Sequence, residues 1–371
     1  MKRYVLAVAA ILAVALAAAD RAQAGAHHRS AKSGHRRAAA RHARRVGHTM
    51  GHGLVPSFAP HPRVWPTVLR EFPRNPTPPH RAKPAHRGAA RRQPRLLHRL
   101  RATTLSIYEH TAKRSVLAAQ GCSAAHRHEN GVVVLDFGKP AFEHGGYGTI
   151  LFSGRFATNH KLTAGMLGYA RGYVRCLPQG STASIELARG TSNYHPAVPS
   201  AYTTGVRWAR ETNKLGRELA HNGLDAHVEA AAADDAEPAW DRSFRKTRHF
   251  FHGFRAAVHG HTLYDYGSLD GGVGAIWSAR QAWYVAGGLR HTKALPEIYN
   301  SAMAREWAEL ARIARGRYHR AVHFAGVMTQ GTSSCNCGLR PPAAHRVLAR
   351  ALVAQGVGQV LLPAGGTNIV G

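Results

Sequence analysis

Residues 231–240 read AAADDAEPAW, with three carboxylates, Asp234, Asp235 and Glu237, directly after a run of alanines and ahead of Pro238 and Trp240. The whole chain carries 50 Lys and Arg against 20 Asp and Glu, so the crowding is conspicuous. Like charges held together cost free energy unless they are solvated, hold a cation or share a proton. Asp235 and Glu237 are two residues apart, and an extended backbone turns both side chains to one side. Such a pair can supply an acid kept protonated and a partner kept ionised. Glycoside hydrolysis needs that pair, and the separation of the carboxyls decides retention or inversion.

Further chemistry-bearing residues end other apolar segments. They are Asp136; Thr191 and Asn193; Asp265 and Tyr266; Tyr284; Glu297, Tyr299 and Asn300; Thr329 and Gln330; Thr367 and Asn368. Glu237 is the candidate general acid, Asp235 its assisting neighbour, and Asp136 the candidate base or nucleophile. Trp240, Asp265, Tyr266, Tyr284, Glu297, Tyr299 and Asn193 are candidates for holding a sugar. The competing readings are structural: Asp235 as the cap of the following helix, Trp240 and the tyrosines as packing. Other chemistries lack their residues. The chain contains no Gly-x-Ser-x-Gly elbow and no His-Glu-x-x-His helix, and GTSSCNCG (331–338) has no nearby base. Oxygen ligands suit Ca²⁺ or Mg²⁺, but three adjacent acids without further spacing define no metal site, and no cofactor is expected.

These residues must be positioned by elements. Strands are expected at 132–138, 183–190, 227–235, 261–267, 282–288, 295–300, 322–330 and 359–366. Helical periodicity falls between them at 160–174, 201–223, 240–255, 301–317 and 342–355, with Ser301 as an N-cap and Asn222-Gly223 as a left-handed stop. Met303, Trp307, Leu310 and Ile313 form one buried stripe. Alternating strand and helix predicts a (β/α)8 TIM-like barrel over 102–371, in which chemistry gathers at the C-terminal strand ends. One spacing resists this. The strands at 282 and 295 start too close for a crossover helix, so one unit is truncated or one strand is misplaced. A doubly wound open sheet is the alternative, but no Gly-x-Gly-x-x-Gly turn follows the first strand.

The flanks narrow the setting. Lys2 and Arg3, an apolar run from Tyr4 to Ala19, and Ala22-Gln23-Ala24 read as a secretory signal peptide over 1–24. No later apolar run is long enough to span a membrane. Residues 25–101 hold 18 Lys and Arg, ten His and one acid, Glu71, among closely spaced prolines. This arm cannot bury enough apolar surface to offset ordering entropy, and is expected to be disordered. It serves as a solvated spacer or as a tether to an anionic cell-envelope surface. One Trp and one Phe ahead of Phe72 are too few for a stacking ladder, so no specific nucleic acid is expected. Secretion makes disulfides of the four cysteines. Three connectivities are possible, of which Cys122–Cys176 with Cys335–Cys337 is favoured.

The order LDFG…YGT…FSGRF, GTSNY, DDAEPAW, LYDYG, WYVAGG and LPEIY resembles secreted bacterial proteins described as glycoside-hydrolase-like, over roughly 128–330. The Asp-x-Glu of Asp235 and Glu237 is also similar to the strand-end pair of lysozyme-type family-25 glycoside hydrolases, with Asp136 matching an acid that ends the first strand. The resemblance implies a barrel and a sugar-polymer enzyme, or a barrel that has kept the fold and lost the activity. The expected protein is therefore a secreted glycoside-hydrolase-like domain acting on or binding a polysaccharide. The alternatives are a non-catalytic wall- or polysaccharide-binding protein and a structural envelope component.

Overall fold

The computed structural model describes residues 104–330 and 338–358, with the backbone of 367–370. The expected signal peptide and basic arm, Cys335 and Cys337, and the expected strand at 359–366 lie outside the described residues.

The elements run β1 (Thr104–Tyr108), α1 (Arg114–His126), β2 (Gly131–Asp136), β3 (Lys139–Glu143), β4 (Gly146–Ile150), β5 (Phe156–Thr158) and α2 (Asn159–Cys176). They continue with β6 (Ile185–Ser192), α3 (Ala201–His221), β7 (Val228–Asp235), α4 (Arg245–Ala257), β8 (Leu263–Asp265) and α5 (Ala279–Trp283). A π-helical turn (Tyr284–Gly288), β9 (Thr292–Ala294), α6 (Ser301–Tyr318), β10 (Met328–Thr329), α7 (Pro341–Ala354) and β11 (Thr367–Val370) complete them. The architecture is mixed α/β. Eight strands form a parallel sheet in the order β10-β11-β1-β2-β6-β7-β8-β9, and β3-β4-β5 form a separate antiparallel sheet. β9 and β10 share no ladder; isolated parallel bridges join Ala294 to Phe324 and Glu297 to Met328.

Strand alternation sorts the side chains. Val133, Leu135, Leu187, Ala230, Ala232 and Leu263 point to the helices and pack with Trp208, Phe251 and Phe254. Their neighbours Val132, Val134, Ala188, Ala231, Ala233, Tyr264 and Tyr266 gather with Leu295 and Met328 on the other face. Side chains from β2 through β10 meet in that second cluster, so the sheet is strongly curled. The alanine run now has a reason. Ala233 lies beside Tyr264 in register, and small residues on β7 leave room for the bulky rings of β8.

Two strand expectations are overturned. AWYVAGG (282–288) is helical, and the strand of that unit is Thr292–Ala294, ahead of the expected 295–300. Ser278 and Gln281 form a capping box that starts a helix where Val and Tyr alone suggest a strand. This removes the awkward spacing between the two units. Strand β1, TLSIY, supplies the missing member of the eight. The α6 cap also moves by one residue: the Asn300 side chain accepts from the N–H groups of Ala302 and Met303, and Ser301 is the first helical residue. The stop after α3 stands as expected, with Gly223 at φ +64° and Leu224 N–H bonding Leu219 O at 2.9 Å. Cys122 on α1 is bonded to Cys176 at the end of α2, the favoured pairing. Among the described residues, no helix is long and apolar enough to cross a membrane.

Candidate functional site

The C-terminal strand ends open into a cleft of about 390 Å³. Asp136 and Asp235 line it, together with Tyr108, Phe152, Tyr194, Trp240 and Lys139. Asp136 ends β2 and Asp235 ends β7, both on the face of the sheet that carries Val134 and Ala233. The aromatic walls come as two pairs. Tyr108 stacks on Phe152 with ring centroids 4.5 Å apart, and Tyr194 meets Trp240 edge-on at 5.4 Å. Phe152 and Tyr194 are 42% and 45% exposed, so apolar ring faces stand open to solvent beside the carboxylates.

Local structure fixes each group. After Asp136 the chain turns at Gly138, whose φ of +79° and whose closeness to Ile150 O leave no room for a Cβ. The Gly138 N–H donates to an Asp136 oxygen at 2.8 Å, and its carbonyl accepts from the Thr191 hydroxyl at 2.8 Å. The antiparallel hairpin β3-β4-β5 follows and brings Phe152 to the cleft. Across it, Asn193 clamps the loop after β7. Its amide donates to Glu237 O at 2.9 Å and its carbonyl accepts from Glu237 N–H at 3.1 Å. Asp235 does not cap the next helix. Asp241 accepts from the Thr247 N–H and hydroxyl at 2.8 and 3.0 Å, inside the first turn of α4.

Electrostatics set the carboxyls apart from ordinary ones. Burial raises Asp136 to about 7, against the downward pull of the Gly138 N–H and the Tyr266 hydroxyl. Asp235 is pushed well above the usual range by burial and by the charges of Glu297, Glu237 and Asp136. One Asp235 oxygen is buried with no hydrogen-bond partner. Burial also raises Glu297 to about 8, although the Tyr299 hydroxyl donates to it at 2.6 Å. Glu237 is raised to about 7 by burial and Asp270, with bonds to Ser268 opposing. Among the described residues, none of Asp136, Asp234, Asp235, Glu237, Asp265 and Glu297 lies within 4 Å of a basic side chain. Uncompensated buried carboxyls near neutrality exchange protons readily, which suits acid–base work.

The expected site residues separate into groups. Asp136, Asp235 and Trp240 line the cleft. Glu297 and Tyr299 stand beside them, close enough to act electrostatically on Asp235 and Tyr108. Tyr266 is buried and donates to Thr191 O at 3.1 Å, a supporting position. Glu237 is half-buried, outside the cleft lining, and turned to Ser268. Asp234 and Asp265 pair in register on the helix-facing side of the sheet. Tyr284 sits in the π-helical turn against Phe244, at 5.7 Å, and is not brought to the cleft. Sequence reasoning missed Tyr108, Phe152, Tyr194 and Lys139. The alternation in TLSIY marked β1 and Tyr108; the hairpin carrying Phe152 had only its glycine turns as a signal. No family model matches the chain, and no curated protein matches it at a significant level, so function is argued from the site itself.

Proposed function

We propose that this chain is a secreted glycoside-hydrolase-like protein whose curled parallel sheet is a (β/α)8 TIM-like barrel acting on a polysaccharide. The observation that carries the proposal is the cleft. Two buried carboxyls with no basic side chain within 4 Å line it, beside two pairs of aromatic rings. Aromatic faces stack on the apolar faces of sugar rings, and paired carboxyls divide into proton donor and base. Asp235, crowded by the charges of Glu297 and Glu237 and lacking a partner on one oxygen, is the general acid in this reading; the carboxyl assignment thus moves from Glu237 to its cleft-facing neighbour. Asp136, bonded to the Gly138 N–H, is the more easily ionised and is the base or nucleophile. Strands lie about 4.8 Å apart, so β2 and β7, on either side of β6, are roughly 10 Å apart, a span compatible with either stereochemical course once the side chains reach inward. The bridges joining Ala294 to Phe324 and Glu297 to Met328 support closure of the barrel.

The test is reducing-end release from a panel of peptidoglycan, polyuronides and neutral glycans. Asp235→Asn is expected to lower turnover by about 10²–10⁴-fold without lowering the melting temperature. Glu237→Gln is expected to keep measurable turnover with a displaced pH profile. Full activity in Asp235→Asn would remove the general-acid assignment. Binding of glycans by the native protein with no turnover of any would favour the non-catalytic alternative.

A further inference from the structure

The solvent faces of α3 and α4 carry the same pattern of bases. On α3, Arg207, Arg210, Lys214 and Arg217 stand at i, i+3, i+7 and i+10. On α4, Arg245, Arg248, His252 and Arg255 repeat that spacing. Positions so spaced fall on one side of a helix. All are exposed except Lys214, which is half-buried. Exposed acids do not offset them. α4 contains no Asp or Glu, and the two glutamates of α3 are half-buried. Glu211 lies 4.0 Å from the buried Arg189 and accepts from the Thr163 hydroxyl at 2.6 Å. Among the described residues, none of the seven Arg and Lys is within 4 Å of a carboxylate. The helices lie against one another, with Gly205 on the Phe250 carbonyl and Gly253 on the Tyr202 carbonyl, and His252 of the α4 stripe meets the Tyr202 ring of α3 at 5.6 Å.

We infer that this α3/α4 surface binds a linear acidic polysaccharide. Unpaired like charges on adjacent helices repel, and a polyanion relieves that repulsion. The choice of a sugar polymer rests on the reading of the cleft as a sugar site, and the structure links the two. Arg207 sits over the Tyr147 ring at 4.7 Å, Tyr147 meets Phe142 at 4.8 Å, and β3, which carries Phe142, begins at Lys139 in the cleft wall. Tyr202 is the one large apolar side chain strongly exposed on these two helices, 40% accessible. That is too little for a stacking ladder for single-stranded nucleic acid, or for insertion into lipid.

The experiment uses the full chain and measures binding to polygalacturonate, neutral dextran and duplex DNA at several salt concentrations. One variant carries R207Q, R210Q, K214Q and R217Q; a second removes four charges from the arm, with R36Q, R37Q, R41Q and R44Q. The α3 variant is expected to bind polygalacturonate at least about tenfold more weakly at low ionic strength, with a shallower salt dependence. The arm variant is expected to lose clearly less, and dextran binding is expected to be equal in all three. Equal losses in both variants would reduce the surface to bulk charge and overturn the site. Tighter binding to DNA than to polygalacturonate would overturn the sugar polymer as occupant. Turnover of the glycan panel by the α3 variant is measured alongside, so failure of catalysis and failure of the surface are read separately.

Discussion

Replacing Asp136 by Asn is expected to stabilise the protein above neutral pH while removing its function. Asp136 is 1% exposed, and its carboxyl is raised from 3.8 in the unfolded chain to about 7. Between those values the folded state binds a proton that the unfolded state releases, so stability falls as pH rises. Below about pH 4 both states are protonated and the group contributes nothing. Above about pH 7 the full penalty is present. The difference between 3.8 and about 7, at about 1.36 kcal/mol for each step of one in pH, amounts to about 4 kcal/mol. Asn carries no charge and its carbonyl can still accept the Gly138 N–H, so the substitution removes that penalty. For a domain of this size, about 2 °C per kcal/mol gives a melting temperature roughly 8 °C higher at pH 8 and nearly unchanged at pH 4. Thermal scans of both proteins from pH 4 to pH 8 measure it. A difference independent of pH, or a loss of stability at pH 8, would refute burial as the cause of the raised carboxyl.

Two other substitutions probe the supports of the cleft. Replacing Cys122 and Cys176 together by Ser opens a loop with a sequence separation of 54 residues, and is expected to cost about 4 kcal/mol in urea unfolding, since the bond ties α1 to α2. An unchanged midpoint would mean the pair is not bonded in solution. Asn193→Ala removes bonds to both backbone groups of Glu237 and to the Thr247 hydroxyl. It is expected to cost about 1–3 kcal/mol and to weaken glycan binding through Trp240. Unaltered binding despite the loss of stability would detach Trp240 from the site.

The α/β alternation was legible because its helices carry their own signals. Each of α2, α3, α4, α6 and α7 lies within a few residues of its periodic stretch. The strand misreadings share a cause. Val, Tyr and Gly in AWYVAGG have the composition of a buried strand, while the helix there is begun by Ser278 and Gln281 just upstream. Short strands such as β8 and β9, three residues each, carry too little pattern to mark their own limits. At the site, the end of each long strand was readable, which is why Asp136 and Asp235 are in the cleft. The walls were not readable. Phe152 and Tyr194 come from connecting segments whose paths depend on tertiary contacts, such as the hydrogen bond from Phe142 N–H to Ala197 O at 2.9 Å.

The crowding of acids after β7 resolves once alternation is applied to it. Asp234 and Asp235 are neighbours in sequence but point to opposite faces of the sheet, and Glu237 turns to Ser268. Asp234 meets Asp265 among the helices, whereas Asp235 meets Asp136 and Glu297 at the cleft. One side-chain oxygen of each of Asp234, Asp235 and Asp265 is buried without a partner. Leaving such atoms unpaired costs free energy, and a neutral side chain of the same shape would avoid part of that cost. Under the proposed function, the carboxyls at the cleft trade stability for proton chemistry, in a chain with far more bases than acids to offer as partners. The Asp136→Asn measurement tests that statement directly, because it predicts stability and activity to move in opposite directions.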